Sequence, residues 1–423
     1  MGLNFPANPT IGQLYPSPSV PNTPTWSWDG HAWVTAGLST LDGAIRYDTS
    51  QTLTPAQQDQ AKINAYSAPF DALAFNGIQV NGSCEVSQEF AAGGGPFTLT
   101  SATYLYAQDG WGAYQGSAPL TMNFWPGYTG AAPPGFSASL TLTVGTGKPS
   151  LAATDQVFLQ NIIEGRRIAR LGWGTANAQS LSIGFYVYST AVGNMAVCVF
   201  NGAANRYYLV DVAIHASNTW EYKTLTVPGD TAGTWTADNS KGMMVRFCFG
   251  TGTTYQGTAG SWQSGTLMSG TAATTNLVAT AGNQISITGL IVLPGIELPS
   301  AGRAPFIMRP YDQELQLCKR YLQIIAMEGA GIAGISTSID FAVRHSGMRA
   351  APSVSVTAPI SLTNVTSQNA TQSAANVAIV GSNGPDYGIY SFGNFTGLTV
   401  GQLYLHYPSF TSGTGFLKLD ARL

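Results

Sequence analysis

The amino-acid sequence predicts a mostly β fold. Its 423 residues include 49 glycines and 11% aromatic residues but only 9% charged residues, whereas globular domains usually carry about 25%. Many segments alternate apolar and polar side chains and are divided by Gly, Asn or Asp, which is the pattern of half-buried strands joined by turns. We therefore expect several antiparallel sheets and few helices, in a chain long enough for more than one domain.

Residues 1–50 are predicted to form an extended, proline-rich arm followed by a β-hairpin. The Asp-Gly dipeptide of TWSWDGHAWV is typical of a two-residue hairpin turn. A turn centred there pairs Trp28 with His31 and Trp26 with Trp33, so that all four rings share one face. Two strands alone are marginally stable in water, and this aromatic face therefore needs a cover, either the rest of the chain or a partner.

Residues 51–76 are predicted to form a helical linker. Thr54 is a suitable N-cap, Gln57 completes a capping box, and Pro55 falls at the first helical position. The helix is polar on nearly all sides and has little to bury within its own domain. We expect it to connect domains or to contact another subunit.

Residues 77–323 are predicted to form a β-sandwich with a docked helix. In NRYYLVDVAIH, Tyr208, Val210, Val212 and Ile214 fall on one face of a strand, and similar alternating runs recur at the spacing of a sandwich. No internal repeat of fixed period is evident.

The docked helix is expected over Asp312 to Leu322. Its apolar positions have a helical spacing and would pack on the sandwich as one stripe: Tyr311, Leu315, Cys318 and Leu322. Residues 324–423 are rich in Gly, Ser, Thr and Asn and contain short alternating runs. We expect them to form a small additional C-terminal β region.

Several segments of the chain together resemble bacteriophage virion appendage proteins. These are FPANPTIGQLY with TWSWDGHAWV near the start, the polar helix AQQDQAKINAY, the turn VPGDTAGTW, and APFIMRPYDQELQLCKRYLQ after the strands. The resemblance implies that the sandwich is a jelly-roll, carbohydrate-binding-module-like domain, and that the protein is a tail fibre or a head fibre. It further implies a homotrimer and an N-terminal virion anchor built from Phe5, Trp26, Trp28 and Trp33. The alternative for the anchor residues is an ordinary hairpin core.

Composition disfavours several classes of partner. The net charge of −3 provides no basic stripe for binding the phosphates of nucleic acid. No apolar stretch is long enough to span a membrane, and the first residues do not have the pattern of a secretory signal. We expect a protein made in the host cytoplasm and assembled into a virion, where a weakly charged surface can be buried in an assembly.

The four cysteines are far apart in the sequence and have no companion histidines, so we expect buried free thiols and no metal. They are Cys84, Cys198, Cys248 and Cys318. No cofactor is expected. Asp230, Asp238 and Asn239 surround one turn and could hold Ca²⁺, but turns closed by their own side chains are the simpler interpretation.

Glycan hydrolysis needs two carboxylates about 5–10 Å apart. The candidates in the sandwich segment are Glu164, Asp155, Asp211 and Glu221. An ion pair with Arg166 or Arg167 is the preferred interpretation of Glu164. Because fibre depolymerases usually have a long internal repeat that is missing here, we expect no enzymatic activity.

Glycan binding needs an exposed aromatic ring with a few amides or carboxylates around it. The glycine-rich loop at residues 251–265 and the neighbouring turn offer the candidate binding residues: Trp235, Tyr255, Gln256, Trp262 and Gln263. Alternatively, the two tryptophans close the ends of the sandwich. Together with the resemblance to phage appendage proteins, these residues favour a virion fibre that adsorbs to host surface glycans. A glycan-cleaving tail spike and a capsid decoration protein without a ligand are the alternatives.

Overall fold

The computed structural model divides the chain into two units, Met1–Ala72 and Leu73–Leu423. The residues that it describes are 4–17, 24–35, 57, 77–90, 95–100, 103–116, 118–130, 132–326, 329–345, 347–357, 360–364, 371–374, 376–395, 397–406 and 416–423. Of the predicted helical linker at 51–76, only Gln57 is among them, and it is helical. The rest of that prediction lies outside the described residues.

The described part of the first unit is a three-stranded antiparallel sheet. Its strands, in sheet order, are β1 (Leu14–Tyr15), β2 (Trp26–Trp28) and β3 (Trp33–Thr35). Within the arm, Leu14 pairs with Ser27 and Tyr15 pairs with Trp26. This part of the proline-rich segment therefore completes a small sheet of its own.

The hairpin forms, but the predicted register is wrong. Trp28 lies opposite Trp33, not His31, and Trp26 lies opposite Thr35. The reason is the Asp29 side chain: its Oδ1 accepts hydrogen bonds from the backbone N–H groups of His31 (2.7 Å) and Ala32 (2.8 Å). This Asx-type closure favours a four-residue loop over the two-residue turn, which requires positive φ at both central residues.

The β-sandwich consists of two antiparallel sheets packed face to face. Its described strands, in chain order, are β4 (Phe97–Leu99), β5 (Thr103–Gln108), β6 (Trp111–Gln115), β7 (Thr121–Tyr128), β8 (Ser139–Thr146), β9 (Gln156–Glu164), β10 (Leu181–Ser189), β11 (Gly193–Asn201), β12 (Arg206–Ile214), β13 (Thr219–Val227), β14 (Lys241–Thr251), β15 (Trp262–Ser264) and β16 (Gln284–Pro294). A short helix, α1 (Gly165–Ile168), follows β9.

One sheet has the order β13-β10-β16-β8-β7-β4, and the other has the order β15-β12-β11-β14-β9-β6-β5. We call them the first and the second sheet. Because the chain crosses repeatedly from one sheet to the other, the topology is that of a jelly roll, as expected. The apolar core between the sheets includes Trp111, Phe185 and Phe247.

Strand β12 illustrates how the alternating pattern determines the core. Tyr208, Val212 and Ile214 are buried there and Val210 packs against it, which confirms the predicted face. The turn after β12 carries the chain into the first sheet, where β13 pairs with β10. Alternation thus predicts which side chains face inward, while the sheet to which a strand belongs is decided by tertiary packing.

The docked helix α2 (Tyr311–Lys319) is shorter than predicted, and its stripe is partly wrong. Leu315 and Cys318 pack in a cluster against the second sheet. Tyr311 is 55% exposed, and Leu322 lies beyond the helix in a strand. The helix ends three residues early because the chain turns there to enter a new sheet.

The C-terminal region has a hydrophobic core of its own, formed between two sheets and including Phe341, Tyr390, Phe392 and Leu417. One sheet has the order β17-β26-β20 and the other has the order β22-β21-β25-β18-β19-β24-β23. The strands are β17 (Leu322–Ala326), β18 (Gly329–Ile335), β19 (Ser338–Arg344), β20 (Ser353–Val356), β21 (Ile360–Asn364), β22 (Thr371–Ala374), β23 (Asn376–Asn383), β24 (Tyr387–Gly393), β25 (Leu403–His406) and β26 (Phe416–Asp420).

An ionic group around the buried Glu164 carboxylate fixes the segment between α2 and β17 to the sandwich. Arg320 donates to both carboxylate oxygens of Glu164, at 2.7 and 2.6 Å, and the Tyr321 hydroxyl donates to one of them. The predicted pairing of Glu164 with Arg166 or Arg167 is therefore wrong. Burial acts to raise the pKa of Glu164, but these hydrogen bonds outweigh it and hold the pKa below its usual value.

Candidate functional site

The predicted anchor residues come together in one aromatic cluster, which we call the hairpin cluster. The Phe5 ring stacks on Trp33 at a centroid distance of 5.0 Å and meets Trp26 edge-on at 5.4 Å. Tyr15 lies 5.2 Å from Phe5, and Trp28 lies 5.7 Å from Trp33. Phe5 and Tyr15 thus supply part of the cover that the indoles were expected to lack.

The hairpin cluster remains half-buried. Among the described residues, none of the indole N–H groups of Trp26, Trp28 and Trp33 has a hydrogen-bond acceptor. The sheet also presents exposed apolar side chains, Leu14 at 50% and Val34 at 44%. An indole usually finds a partner for its N–H when it is fully buried, so these donors are available to another molecule.

A second tryptophan cluster closes one end of the sandwich, and we call it the sandwich-end cluster. Trp173, Trp235 and Trp262 meet edge to face, with centroid distances of 4.6 Å between Trp173 and Trp235, 5.2 Å between Trp173 and Trp262, and 5.6 Å between Trp235 and Trp262. Trp173 is buried, while the other two are half-buried. Trp173 was not among the residues predicted from the sequence.

Every indole N–H of the sandwich-end cluster has an acceptor. Trp173 donates to the Gln179 carbonyl (2.6 Å) and Trp262 to the Pro228 carbonyl (2.8 Å). Trp235 donates to the Asp230 carboxylate at 3.1 Å, which also pairs with Arg206. These contacts have the features of a structural plug, the alternative raised for Trp235 and Trp262.

The other candidate glycan residues are spread along the same loop. Tyr255 makes no ring contact with either candidate tryptophan among the described residues. The Gln256 amide donates to the Thr251 carbonyl at 3.2 Å. The Gln263 amide donates to the Thr258 carbonyl and accepts from a tyrosine hydroxyl. Both amides thus take part in hydrogen bonds within the protein, and glycan binding by these residues stays a prediction.

The outer side of the second sheet carries an arginine that was not among the candidate residues predicted from the sequence. Arg246 is only 7% exposed and lies between two rings, 3.7 Å from the Phe158 centroid and 4.8 Å from the Phe200 centroid. Its donors go to uncharged acceptors, including Gln160 Oε1 and, at 2.6 Å, Ser269 Oγ. No carboxylate pairs with it in the part of the chain that the structure describes.

Aromatic and amide side chains surround this cation. Tyr114 stacks on Phe158 at 5.2 Å with an interplanar angle of 19°. The Gln160 amide donates to the Tyr104 hydroxyl at 3.2 Å, and Tyr104 is 38% exposed. Together with a half-buried glutamine, these side chains form what we call the arginine face: Tyr104, Tyr114, Gln156, Gln160 and Arg246.

The arginine face has the chemical groups needed to bind a hydroxyl-rich or anionic ligand. Of the five guanidinium N–H donors, four make the hydrogen bonds to Gln156, Gln160 and Ser269. One donor and the unmatched positive charge remain. Burying a charge without a counter-charge is costly, so an anionic group placed here would gain from it. A basic residue inside the apolar strand GMMVRFCFG was the sequence signal for this site.

The carboxylates considered for glycan hydrolysis each have a structural partner. Asp155 pairs with Lys148 at 2.6 Å, and Asp211 accepts from the Thr271 hydroxyl at 2.6 Å. Burial alone would raise the pKa of Glu221, but hydrogen bonds from the Lys223 ammonium and from backbone N–H groups outweigh it and lower the pKa to about 2. Glu164 is held by Arg320.

Side chains of the turn considered for Ca²⁺ make hydrogen bonds within the protein. Asp238 Oδ1 accepts from the Ser240 N–H at 2.9 Å, and Asn239 donates to the Arg349 carbonyl at 2.6 Å. Over the described residues, no group of three His, Cys, Asp or Glu side chains could hold a metal ion. In the same residues no helix has the length and apolarity to cross a membrane.

The cysteines are buried and free, which confirms the prediction. Desolvation raises the pKa of Cys84 and Cys198 to about 12 and that of Cys248 to about 11, and the pKa of Cys318 is also raised. Thiols with raised pKa values are poor nucleophiles and poor metal ligands at neutral pH. They act as small apolar side chains.

No family model matches this sequence, and no curated protein is similar to it. Among solved structures, the chain is similar to the enzymatically active domain of tailspike protein 4 of bacteriophage CBA120, at 13% identity and a TM-score of 0.26. The match covers 49% of this chain and 21% of that chain, so it spans about a fifth of the tailspike domain.

Carbohydrate-binding modules are also similar over about half of the chain. The family 22 xylan-binding domain from Paenibacillus barcinonensis has 10% identity, covers 50% of this chain and 99% of its own length, and gives a TM-score of 0.24. The family 11 module from Clostridium thermocellum, solved with a mixed-linked tetrasaccharide, has 10% identity over 45% of this chain and 91% of its own, also at 0.24. TM-scores this low do not establish a function for the chain.

Proposed function

We propose that this protein is a bacteriophage virion fibre whose jelly-roll domain binds host surface glycans through the arginine face. The observation that carries the glycan role is Arg246, a buried cation without a carboxylate partner among the described residues, surrounded by partly exposed tyrosines and by amides. The virion role is supported by the sequence resemblance of the hairpin, the linker and the α2 segment to phage appendage proteins.

The side chains of the arginine face suit an acidic polysaccharide. The apolar face of a pyranose packs on a tyrosine ring, and its hydroxyls exchange hydrogen bonds with amides. Tyr104 is the most exposed ring of the face, and Gln160 orients its hydroxyl. A sugar carboxylate would accept a charge-assisted hydrogen bond from the remaining N–H donor of Arg246. We therefore propose uronic-acid or similarly acidic glycans as the preferred ligands.

The same proposal assigns the hairpin cluster to attachment on the virion. Its indole N–H groups have no acceptors among the described residues, and its sheet exposes Leu14 and Val34. Both features suit a partner protein that supplies acceptors and apolar contact. The resemblance to phage fibres supports a homotrimer, with other virion proteins as partners. We propose no catalytic role, because the four carboxylates considered have structural partners.

A binding measurement with matched ligands and variants tests the glycan role. We expect the full chain to bind a uronic-acid polysaccharide at least tenfold more tightly than its carboxyl-reduced form, with a preference that weakens as salt is added. Tyr104→Ala should weaken binding at least tenfold, while Tyr387→Ala, an exposed tyrosine of the C-terminal region, should not. Equal binding by the Tyr104→Ala variant and the unaltered protein would contradict the arginine-face assignment.

A further inference from the structure

An open cleft of about 350 Å³ is lined in part by Phe136, whose ring packs on Tyr186 of the first sheet, and its lining includes no residue of the arginine face. One wall is the loop that carries Phe136, and the other is the segment from Pro305 to Tyr311. Ser83 and Glu85 complete the lining. The volume is at the lower end of the range of small-molecule sites, about 300–1,000 Å³, and is enough for one sugar residue.

The walls of the cleft are fixed by close packing and by hydrogen bonds. Gly135 packs so closely on Pro305 that a Cβ at this position would lie 2.5 Å from the proline ring, and its φ is +87°. Arg309 donates to the carbonyls of Gly77 and Gln79 and so ties its wall to the start of the sandwich. The cleft is therefore largely preformed, which reduces the entropic cost of binding.

Two aromatic side chains of the cleft are strongly exposed. Phe306 is 67% exposed and Tyr311 is 55% exposed, and neither ring contacts another aromatic ring among the described residues. Both belong to a segment that otherwise packs well, since neighbouring Ala304 and Ile307 are buried. Exposed rings held on an ordered wall can stack on the apolar face of a pyranose.

The cleft also contains a carboxylate that lacks a cation. Glu85 accepts hydrogen bonds from the Ser83 hydroxyl (3.1 Å) and the Ser137 hydroxyl, and no cation pairs with it among the described residues. Arg309, which also lines the cleft, pairs instead with Glu314 at 3.1 Å. An ionised carboxylate has about four acceptor sites, so Glu85 retains acceptors for ligand hydroxyls.

We propose that this cleft is a second glycan subsite, which takes one pyranose residue with its ring face against Phe306 or Tyr311 and its hydroxyls donating to Glu85. The ligand class rests on the proposed function, but the residues are entirely separate from the arginine face. The negative charge of Glu85 disfavours acidic sugars here. The two subsites therefore prefer different sugars, neutral in the cleft and acidic on the arginine face.

Saturation-transfer NMR of the full chain with neutral methyl pyranosides of glucose, galactose, mannose and N-acetylglucosamine tests the proposal. The experiment uses the Tyr104→Ala variant, in which we expect the arginine face to have lost its glycan binding. In that background we expect at least one glycoside to bind, and Phe306→Ala or Tyr311→Ala to reduce its signal at least fivefold. Glu85→Gln keeps one acceptor oxygen and replaces the other with an NH₂ donor, to which a serine hydroxyl can still hydrogen-bond as an acceptor. This variant should weaken binding about threefold or more. Ile296→Ala, a 74% exposed position on the segment before this wall, is the matched control and should leave the signal unchanged.

Two outcomes with the glycosides would overturn the subsite: no signal from any of them in the Tyr104→Ala background, or a signal unchanged by both ring variants. Stronger binding of butylammonium, a simple cation that would pair with Glu85, than of every glycoside would also overturn it. None of these outcomes would contradict the proposed role of the arginine face. Conversely, a cleft signal that depends on Phe306, together with acidic-polysaccharide binding that ignores Tyr104→Ala, would support the cleft and remove the proposed role of the arginine face.

Discussion

The hairpin cluster and the sandwich-end cluster contain three tryptophans each, yet their surroundings differ. Trp173, Trp235 and Trp262 all donate their indole N–H groups to acceptors within the sandwich, and one of them is buried. The indoles of the hairpin cluster pack on Phe5 and on one another, remain half-buried, and have no acceptors among the described residues.

This difference distinguishes indoles whose hydrogen-bonding capacity is used within the fold from indoles that retain it. A ring whose faces and N–H are both satisfied has little left to offer a ligand. A half-buried ring with a free donor retains both apolar surface and hydrogen-bonding capacity. The hydrogen-bond partners of a tryptophan are therefore more informative in this protein than proximity to a glycine-rich loop, the feature that made Trp235 and Trp262 candidates.

Removing a ring from the sandwich-end cluster should have the largest effect on stability. Trp173→Ala deletes a buried indole that contacts both other rings, and large-to-small changes of this kind cost about 3–5 kcal/mol. We expect the thermal unfolding midpoint of the sandwich to fall by several degrees and the urea midpoint to fall with it. An unchanged midpoint would mean that the three rings do not support the sandwich.

The hairpin cluster should show the opposite behaviour. Trp33→Ala removes the ring that stacks on Phe5 and faces Trp28, but residues 73–423 have a separate core. We expect the sandwich to unfold at its original temperature, while incorporation into virions falls at least tenfold in a complementation assay. Normal incorporation of the variant would contradict the anchor role.

Trp28→Phe is the matched control for that experiment. It keeps an aromatic ring beside Trp33 and removes one indole N–H donor. A partial loss of incorporation would show that the free donor matters, whereas full incorporation would assign the anchoring to apolar contact alone. Either result refines the comparison with the sandwich-end cluster, where each donor already has an acceptor.

The sequence predicted the mostly β fold, because the alternating pattern of strands such as β12 is local information. It also predicted the hairpin, but not its register, since hydrogen bonds from the backbone N–H groups of His31 and Ala32 to the Asp29 side chain close a longer loop. Arg246 was missed for a different reason. Alternation places it on the outer face of β14, but only the folded structure shows that Phe158, Phe200 and uncharged acceptors enclose it.

The predicted ion-pair partner of Glu164 was wrong for a related reason. The neighbouring arginines were the obvious choice by sequence distance, but Arg320 reaches Glu164 from the end of α2, 156 residues along the chain. Likewise, the exposed rings of the cleft could not be inferred, because the helical spacing of α2 suggested that Tyr311 would be buried. Contacts between distant segments determine both features, and a single sequence gives little information about such contacts.

The smallest predicted effect concerns the turn of the hairpin. Asp29 has a pKa below its ordinary value because its carboxylate accepts backbone N–H groups of Ala32 and His31. A carboxyl whose folded pKa is lowered stabilises the fold above its unfolded pKa, 3.8, and loses that contribution as the pH falls through the folded pKa. The turn should therefore loosen only in strong acid.

Fluorine NMR of the full chain labelled with 5-fluorotryptophan can measure this effect. We expect the resonances of Trp28 and Trp33 to shift below pH 4, while those of Trp173 and Trp262 stay fixed, because these two indoles donate to backbone carbonyls. Asp29→Ala should produce the shifted positions already at neutral pH and should abolish the acid transition. If the acid transition persists in Asp29→Ala, another group closes the turn, and the Asp29 carboxylate is not what sets the register of the hairpin.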